Sequence, residues 1–434
     1  MSSSKKKKCE IHGTVAPGFE SIRQLYQHNM NTMAEKNTQL CIYYQGQKVV
    51  DLLASTTNDN EFSADSISNA FSSGKSLESI AIASLVSKNL IDYNAKITAY
   101  WPEFGANGKE ELTVADLMRH EAGLANFDTS MALDDLLTKN IKQNSVGRII
   151  EAHSQKFGDG SRREYHAVTR GWIVNEVFRR VDPAGRTIGE FLHEDICVAM
   201  GADAIIGVKR EELFRVSKVS TLGFGFQLLE SLKPKFLGRR IVHNIFQILA
   251  RLIRIIPAIR RKGRTPPPPP FVGMKHIGFF NEPDLAMGET PSANANCSAR
   301  GLAKIAAMMS AGGKLDGKEY LSEQAWTALH DKPVEENMGG LFTTRFTQGG
   351  VNQFVKPTAS SSALERDFNK GREGFYGWMG LGGSIFQWHP ELDIGFGFVP
   401  TSLHVLDFLN ERGKVYQAEL LNCIARTDAV SATS

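Results

Sequence analysis

A serine three residues ahead of a lysine, at the mouth of an apolar helix, is the feature of this chain best suited to chemistry. The stretch Phe71-Ser72-Ser73-Gly74-Lys75-Ser76 lies within SISNAFSSGKSLESIAIASLVSKNLIDYN. Residues three apart share a helix face and residues two apart do not, so Lys75 can reach Ser72 but not Ser73. A lysine serves as a base only when neutral. The positive end of the helix dipole disfavours its ammonium form, and burial beneath the Ala/Ile/Leu helix lowers its pKa further. Free backbone N–H groups in the first turn can hold an oxyanion. The same residues also read as a plain helix start, with Ser72 or Ser73 as cap, Gly74 as a loosened first turn and Lys75 as a solvated charge. Ser-x-x-Lys alone does not separate the two readings.

The elements that must position this pair are legible in outline. Phe19 to about Lys36 has helical spacing, punctuated by Gly18 and Asn37. QLCIYYQGQKVVDLLAS gives two β-rich runs around Gln45-Gly46-Gln47, a hairpin signal. A helix then follows FSSGKS to about Asn89. The middle of the chain, to about Gly201, is mostly helical: TVADLMRHEAGL, MALDDLLTKNI, SVGRIIEAHSQKF, TRGWIVNEVFRRV and TIGEFLHEDICVAM. GGSIFQWHP and LDIGFGFVP look like paired strands, with a helix in 402–425. Strands at both ends imply one antiparallel sheet built from both termini. It is flanked by helices and carries a mostly helical inserted region, an α/β (α+β) fold.

Composition narrows the function classes. With 42% hydrophobic residues among 434, the chain can bury a sizeable core. A formal charge of +3 demands neither nucleic acid nor an acidic partner. The five cysteines (Cys9, Cys41, Cys197, Cys297, Cys423) are odd in number and far apart, which fits reduced thiols in a cytoplasmic setting. His and Cys show no metal-ligand spacing, so neither metal nor organic cofactor is expected. MSSSKKKKCEIHG has no apolar region after its basic cluster, so no secretory signal is read and residues 1–14 are expected to form a disordered basic tail.

One segment breaks the composition. Ser231 to Arg264 carries many Lys and Arg and no acidic residue. Arg251 and Arg254 interrupt it too often for a membrane span. Arg240, His243/Asn244, Gln247, Arg251 and Arg254 form a narrow polar stripe beside a broad Ile/Leu/Phe/Val face. That profile fits a helix lying on an anionic membrane through 239–264. It equally fits an insertion helix packed on the core with arginines at its solvent edge. Wide apolar faces are usually core-facing, so the packed arrangement is the expected one. Pro266–Pro270 must be extended polyproline, a spacer or a ligand for an aromatic groove, so a polyproline-binding partner at 264–270 is a second expectation.

The order GFESIRQLYQ, a hairpin ending VVDL, FSSGKS and LTVADLMRHEAGL resembles the serine β-lactamase-related family: class C β-lactamases, DD-peptidases and family VIII carboxylesterases. The resemblance runs from about Gly18 to Leu421, through EYHAVTRGWIVNEVFRRVD, PSANANCSARGLAKIAAMMSAGG and FYGWMGLGGSIFQWHPELDIGFGF. It implies a β-lactamase/transpeptidase-like fold over 15–425, with sheet regions at about 15–100 and 275–425, a helical region at about 100–230 and a basic, polyproline insertion at 231–270. It also implies that Ser72 is acylated while Lys75 and Tyr165 share the base role. Ala167 stands where the penicillin-type Tyr-x-Asn motif has Asn. Trp378-Met379-Gly380 stands where a Lys-Thr-Gly motif would read a carboxylate, and resembles the Trp-Gly-Gly of some carboxylesterases. Trp378, Gly380 and Gly382 are therefore expected at the substrate and oxyanion region, where Gly380, Gly382 and Gly383 let substrate and backbone approach closely. His166, next to Tyr165, is a candidate substrate contact, although such a residue is more often structural, and His120 is read as structural.

The expected function is a serine hydrolase forming an acyl-enzyme on a neutral ester or amide. The alternatives are a non-catalytic scaffold binding a membrane or partner, left open by the departures at Gly74, Ala167 and Met379 but opposed by the intact Ser72, Lys75 and Tyr165, and a β-lactamase or D-Ala-D-Ala peptidase, opposed by Trp378.

Overall fold

The computed structural model describes residues 9–57, 59–157, 162–259, 266–338 and 343–431. Its centre is a nine-stranded antiparallel sheet. In chain order the strands are β1 (Ile11–Val15), β2 (Asn37–Tyr44), β3 (Gln47–Ser55), β4 (Val334–Asn337), β5 (Thr343–Phe346), β6 (Asn352–Gln353), β7 (Tyr376–Met379), β8 (Ile385–His389) and β9 (Ile394–Pro400). They lie side by side as β1-β3-β2-β9-β8-β7-β6-β5-β4. The join between the two chain ends is β2 with β9, where Leu40 faces Phe398 and Ile42 faces Phe396. The sheet thus comes from both termini, as the strand runs in the sequence imply.

Alternation along the strands loads both faces of the sheet. Leu40, Ile42, Phe396 and Phe398 share one core with Tyr26 and Tyr416, from helices α1 (Glu20–Thr32) and α7 (Glu411–Ser431). Cys41, Phe386 and Trp388 face the other core. That core holds α2 (Lys75–Ser87), α3 (Thr169–Val181) and α6 (Ala299–Ser310). Gly395 and Gly397 let α6 lie directly on the sheet, because a Cβ at either would collide with α6 backbone.

Three expectations change. Ile11–Thr14 of the expected disordered tail, together with Val15, pair with Val50–Ala54 as the edge strand β1. Its paired backbone is what ordering needs, and residues 1–8 lie outside the described residues. The last helix begins at Glu411 rather than 402, because Ser402–Leu403 pair with Ser220–Thr221 and Asp407 accepts the Glu411 and Arg412 amides.

The third change concerns the insertion. Helix α4 (Phe224–Leu232) leads into it and α5 (Ile245–Ile259) lies within it. Among the described side chains from Ile241 to Ile253, Ile241, His243 and Ile248 are buried, whereas Phe246, Leu249 and Ile253 are exposed. The described part of the apolar face is thus only partly covered by the core. Arg260–Arg264 lie outside the described residues. Pro266 to Pro269 are exposed, but the Pro269 and Pro270 carbonyls accept from Ser130 Oγ (2.6 Å) and Met131 N (2.9 Å) of the same chain. All five cysteines are free thiols. Among the described residues, no helix is long and apolar enough to cross a membrane.

Candidate active site

Ser72 sits in a tight helical turn, Phe71–Gly74, that leads into α2. A short sheet fixes its approach: Ser68 pairs with Cys297 and Asn69 with Asn296, and Ala70 N then donates to Ala295 O (2.8 Å). Phe71 adopts φ +47°, the left-handed region rarely used by a side chain of its size, and its N–H is held by Asn69 Oδ1 at 2.7 Å. Gly74 has to be glycine here, since a Cβ would strike Pro291 O.

Lys75 Nζ donates to Ser72 Oγ (3.2 Å), Ala167 O (2.7 Å) and Ser292 O (3.1 Å). The two carbonyls can only accept. A neutral amine would therefore spend both N–H groups on them and aim its lone pair at Ser72. Burial holds the Lys75 pKa well below its ordinary value; the nearby Glu78 carboxylate opposes this and Arg170 reinforces it. Ala167, at the position read from the sequence as the motif Asn, serves Lys75 through its backbone carbonyl.

Tyr165 OH donates to Ser72 Oγ at 2.6 Å, and Lys75 Nζ lies 4.8 Å from the centre of its ring. Burial raises the phenol pKa, against hydrogen bonds to Ser72 and Trp378 that lower it, so Tyr165 keeps its proton at neutral pH. Ser73 turns the other way: it is fully buried, with its Oγ 2.9 Å from Ser384 Oγ.

The loop carrying Tyr165 is braced by the RHEAGL turn. Glu164 N donates to His120 O (3.0 Å), His166 N donates to His120 Nδ1 (3.1 Å), and Arg163 pairs with Glu121 at 2.6 Å. His166 is fully buried, with Nε2 accepting from Leu124 N (3.0 Å) and Nδ1 donating to Glu164 O (2.6 Å). Both ring nitrogens are thus spent on the scaffold and burial drops its pKa to about 4, so His166 is a brace rather than a substrate contact.

Trp378, near the end of β7, is almost wholly buried and donates its indole N–H to Tyr165 OH at 3.2 Å. Its first contact is with the tyrosine. Gly380 and Gly382 let protein, not substrate, come close: a Cβ at Gly380 would hit Ala70 O and Ser384 Oγ, and one at Gly382 would hit Leu403. Ser384 Oγ donates to Ala70 O (2.6 Å), and Asn410 Nδ2 donates to Gly380 O and Ser384 O (both 3.0 Å). These bonds lock the glycine turn against the serine turn. Among the described residues the Ser72 and Leu381 amides have no hydrogen-bond acceptor.

Sequence reasoning missed the buried pair beneath the site. Glu78, one turn after Lys75, meets Arg170 at 2.8 Å, and both are fully buried. Arg170 also donates to Lys75 O (2.8 Å), Met118 O (2.9 Å) and Gly350 O (3.1 Å), while Glu78 accepts from Ser292 Oγ at 2.5 Å. The signal was present: Glu78 is the lone acid in KSLESIAIASLVS, and Arg170 stands on a helix that buries nearly all its residues.

This fold, with a serine, a buried lysine and a tyrosine converging at one turn, has the layout of a serine hydrolase. The sequence pattern of the beta-lactamase family matches residues 22–418, and the chain belongs to that family. It is 27% identical over 398 residues, 91% of this chain and 83% of the relative, to Esterase/beta-lactamase LipL of Mycobacterium tuberculosis (strain ATCC 25618 / H37Rv). A crystal structure of a family VIII carboxylesterase superposes with a TM-score of 0.73 at 23% identity, covering 95% of this chain and 100% of that one. A penicillin-binding protein homolog from Caulobacter crescentus gives 0.71 at 23% identity, with the same coverage.

Proposed function

We propose that the protein is a carboxylesterase-like serine hydrolase in which Ser72 is the nucleophile, Lys75 its base and Tyr165 the proton donor to the leaving group. One observation carries this. Lys75 is fully buried, which favours the free amine, and two acceptor-only carbonyls would take that amine's N–H groups and leave its lone pair on Ser72 Oγ. Ser72 Oγ attacks the ester carbonyl carbon while its proton passes to Lys75. The oxyanion takes the unpaired amides of Ser72 and Leu381. As the tetrahedral adduct collapses, the C–O bond to the alcohol breaks and Tyr165 hands over its proton, which Lys75 replaces. Water then attacks the acyl-enzyme by the reverse proton route, releasing the acid and restoring Ser72. The sharing of the base role read from the sequence becomes a division: the raised phenol pKa suits an acid, and the lowered lysine pKa suits a base.

Esters are favoured over penicillin-like substrates because Trp378 places a neutral indole where a cation would read a carboxylate. LipL's name joins both activities, and the related carboxylesterase fold agrees with the ester reading. The test is hydrolysis of 4-nitrophenyl butyrate. Wild type should turn it over, and Ser72→Ala should lose at least about 10⁴-fold in kcat with the same thermal unfolding profile. Equal rates in the two proteins would remove Ser72 from the chemistry.

A further inference from the structure

The chain leaves the fold for the insertion, and returns from it, beside the serine turn. On the way out, Val219 packs with Phe71 and Leu403, and Ser220–Thr221 pair with Ser402–Leu403. On the way back, Phe271 packs on Phe280, whose ring centre lies 5.0 Å from that of Phe71, the residue before Ser72. Between these stems, α4, the turn after it and α5 hold their polar anchors inward. His243 lies 3.4 Å from Asp407, Arg240 N donates to Glu230 Oε2 (2.8 Å), and Ile241 and Ile248 are buried. The other side is apolar and bare. Phe224, Leu229, Leu232, Phe236, Phe246 and Ile253 are each at least 60% exposed, and Phe236 reaches 86%. Phe246 and Ile253 stand two turns apart on one face of α5, with Leu249 between them.

So much unpartnered apolar surface on one segment is an interaction site, and its charge selects the partner. Residues 224–259 contain six Lys and Arg against one acid, Glu230, which pairs with Lys233 at 2.5 Å. Two of them, Lys233 and Lys235, are exposed beside Phe236. A second copy of this chain docking by two-fold symmetry would press this basic segment against itself, which like charges oppose. The large side chains protrude rather than line a groove, so they suit a soft surface that can be penetrated. We propose that α4, the following turn and α5 form a peripheral docking face for an anionic lipid surface. There the hydrolase, on the reading of Ser72 as nucleophile, takes lipophilic esters from the membrane. Apolar side chains enter the headgroup boundary while the basic segment pairs with anionic headgroups.

The test is co-sedimentation of the full chain with vesicles of two-to-one phosphatidylcholine and phosphatidylserine, and with phosphatidylcholine alone. The comparison protein is the double variant Phe236→Glu/Phe246→Glu, whose sites are exposed and leave the core intact. Wild type should bind the anionic vesicles, more weakly at high salt, and bind phosphatidylcholine poorly. The variant should lose at least about tenfold in partitioning, by analogy with removing about 1.4 kcal/mol, yet hydrolyse soluble 4-nitrophenyl butyrate like wild type. On a long-chain ester embedded in the anionic vesicles, only the variant's rate should fall. No vesicle binding by wild type, equal binding by both proteins, or a wild-type dimer that the variant turns into a monomer would each overturn the proposal. The binding readout needs no turnover. An inactive protein that still binds would count against the hydrolase reading, and an active one that does not bind against the membrane face.

Discussion

The turn around Ser72 and the insertion face are linked through the insertion's stems, which meet Phe71 at Val219 and Phe280, yet they are built on opposite rules. Around Ser72, Lys75 has three acceptors, Tyr165 is wedged between Ser72 and Trp378, and the Glu78–Arg170 pair below is fully buried. Beyond the strand that pairs beside Leu403, the rings of Phe224, Phe236 and Phe246 stand largely in solvent. Buried polarity there and exposed apolarity here both run against the ordinary burial of side chains. The difference teaches how each is tolerated. The buried charges are fixed by complete hydrogen bonding, whereas the exposed rings have few buried contacts to lose.

Stability should show the contrast most strongly. Arg170→Met strands Glu78 in the core, and losing one partner of a buried pair costs roughly 3–5 kcal/mol. Phe236→Ser, at a side chain that makes almost no buried contact, should stay within about 0.5 kcal/mol. Urea unfolding of both variants measures this, and similar losses would erase the distinction.

Next in size is the coupling of Lys75 and Tyr165. Lys75→Ala and Tyr165→Phe should each slow kcat by about 10²–10⁴-fold. The double variant should be little worse than the poorer single one, because the two act on one proton. Additive losses would mean separate roles. The pH profile sharpens the point. Lys75 must be neutral, so kcat/KM should rise with pH through its lowered pKa and hold until Tyr165 ionises above the usual phenol value. The sign for stability is the same. Below the ordinary lysine value the unfolded chain holds a proton that folded Lys75 does not, so Lys75's contribution to stability grows as pH rises through that window.

A smaller effect is expected at Trp378. Against a matched pair of neutral and carboxylated esters, wild type should prefer the neutral one by at least about tenfold in kcat/KM, since a charge-assisted hydrogen bond worth about 1.5–3 kcal/mol is missing. Trp378→Lys should shift preference toward the carboxylate without speeding the neutral ester. Equal preference in both proteins would show that this strand end does not read the substrate.

Much of the site could be read from the sequence because local geometry decides it. The three-residue offset selects Ser72 over Ser73, and Ser73 Oγ indeed meets Ser384. The order of motifs led to Tyr165 and to a sheet formed from both chain ends. The long-range partners could not be read. Ala167 O and Ser292 O reach Lys75 from loops 92 and 217 residues away, and a backbone carbonyl leaves no mark in composition. Arg170 and His166 announce themselves as polar residues, but only packing shows that one is the site's foundation and the other a brace. The insertion misled for a physical reason: an amphipathic stripe states that a face is apolar and says nothing about what will cover it.

The central claim is that Ser72, and no neighbouring hydroxyl, carries the acyl group. It is tested most directly by treating the protein with a fluorophosphonate and mapping the adduct by peptide mass spectrometry. One adduct should appear, on the peptide containing Phe71–Lys75. It should persist in Ser73→Ala, vanish in Ser72→Ala, and form more slowly as pH falls and Lys75 gains its proton. An adduct that survives Ser72→Ala, or a wild-type protein that stays unlabelled while folded, would contradict the account.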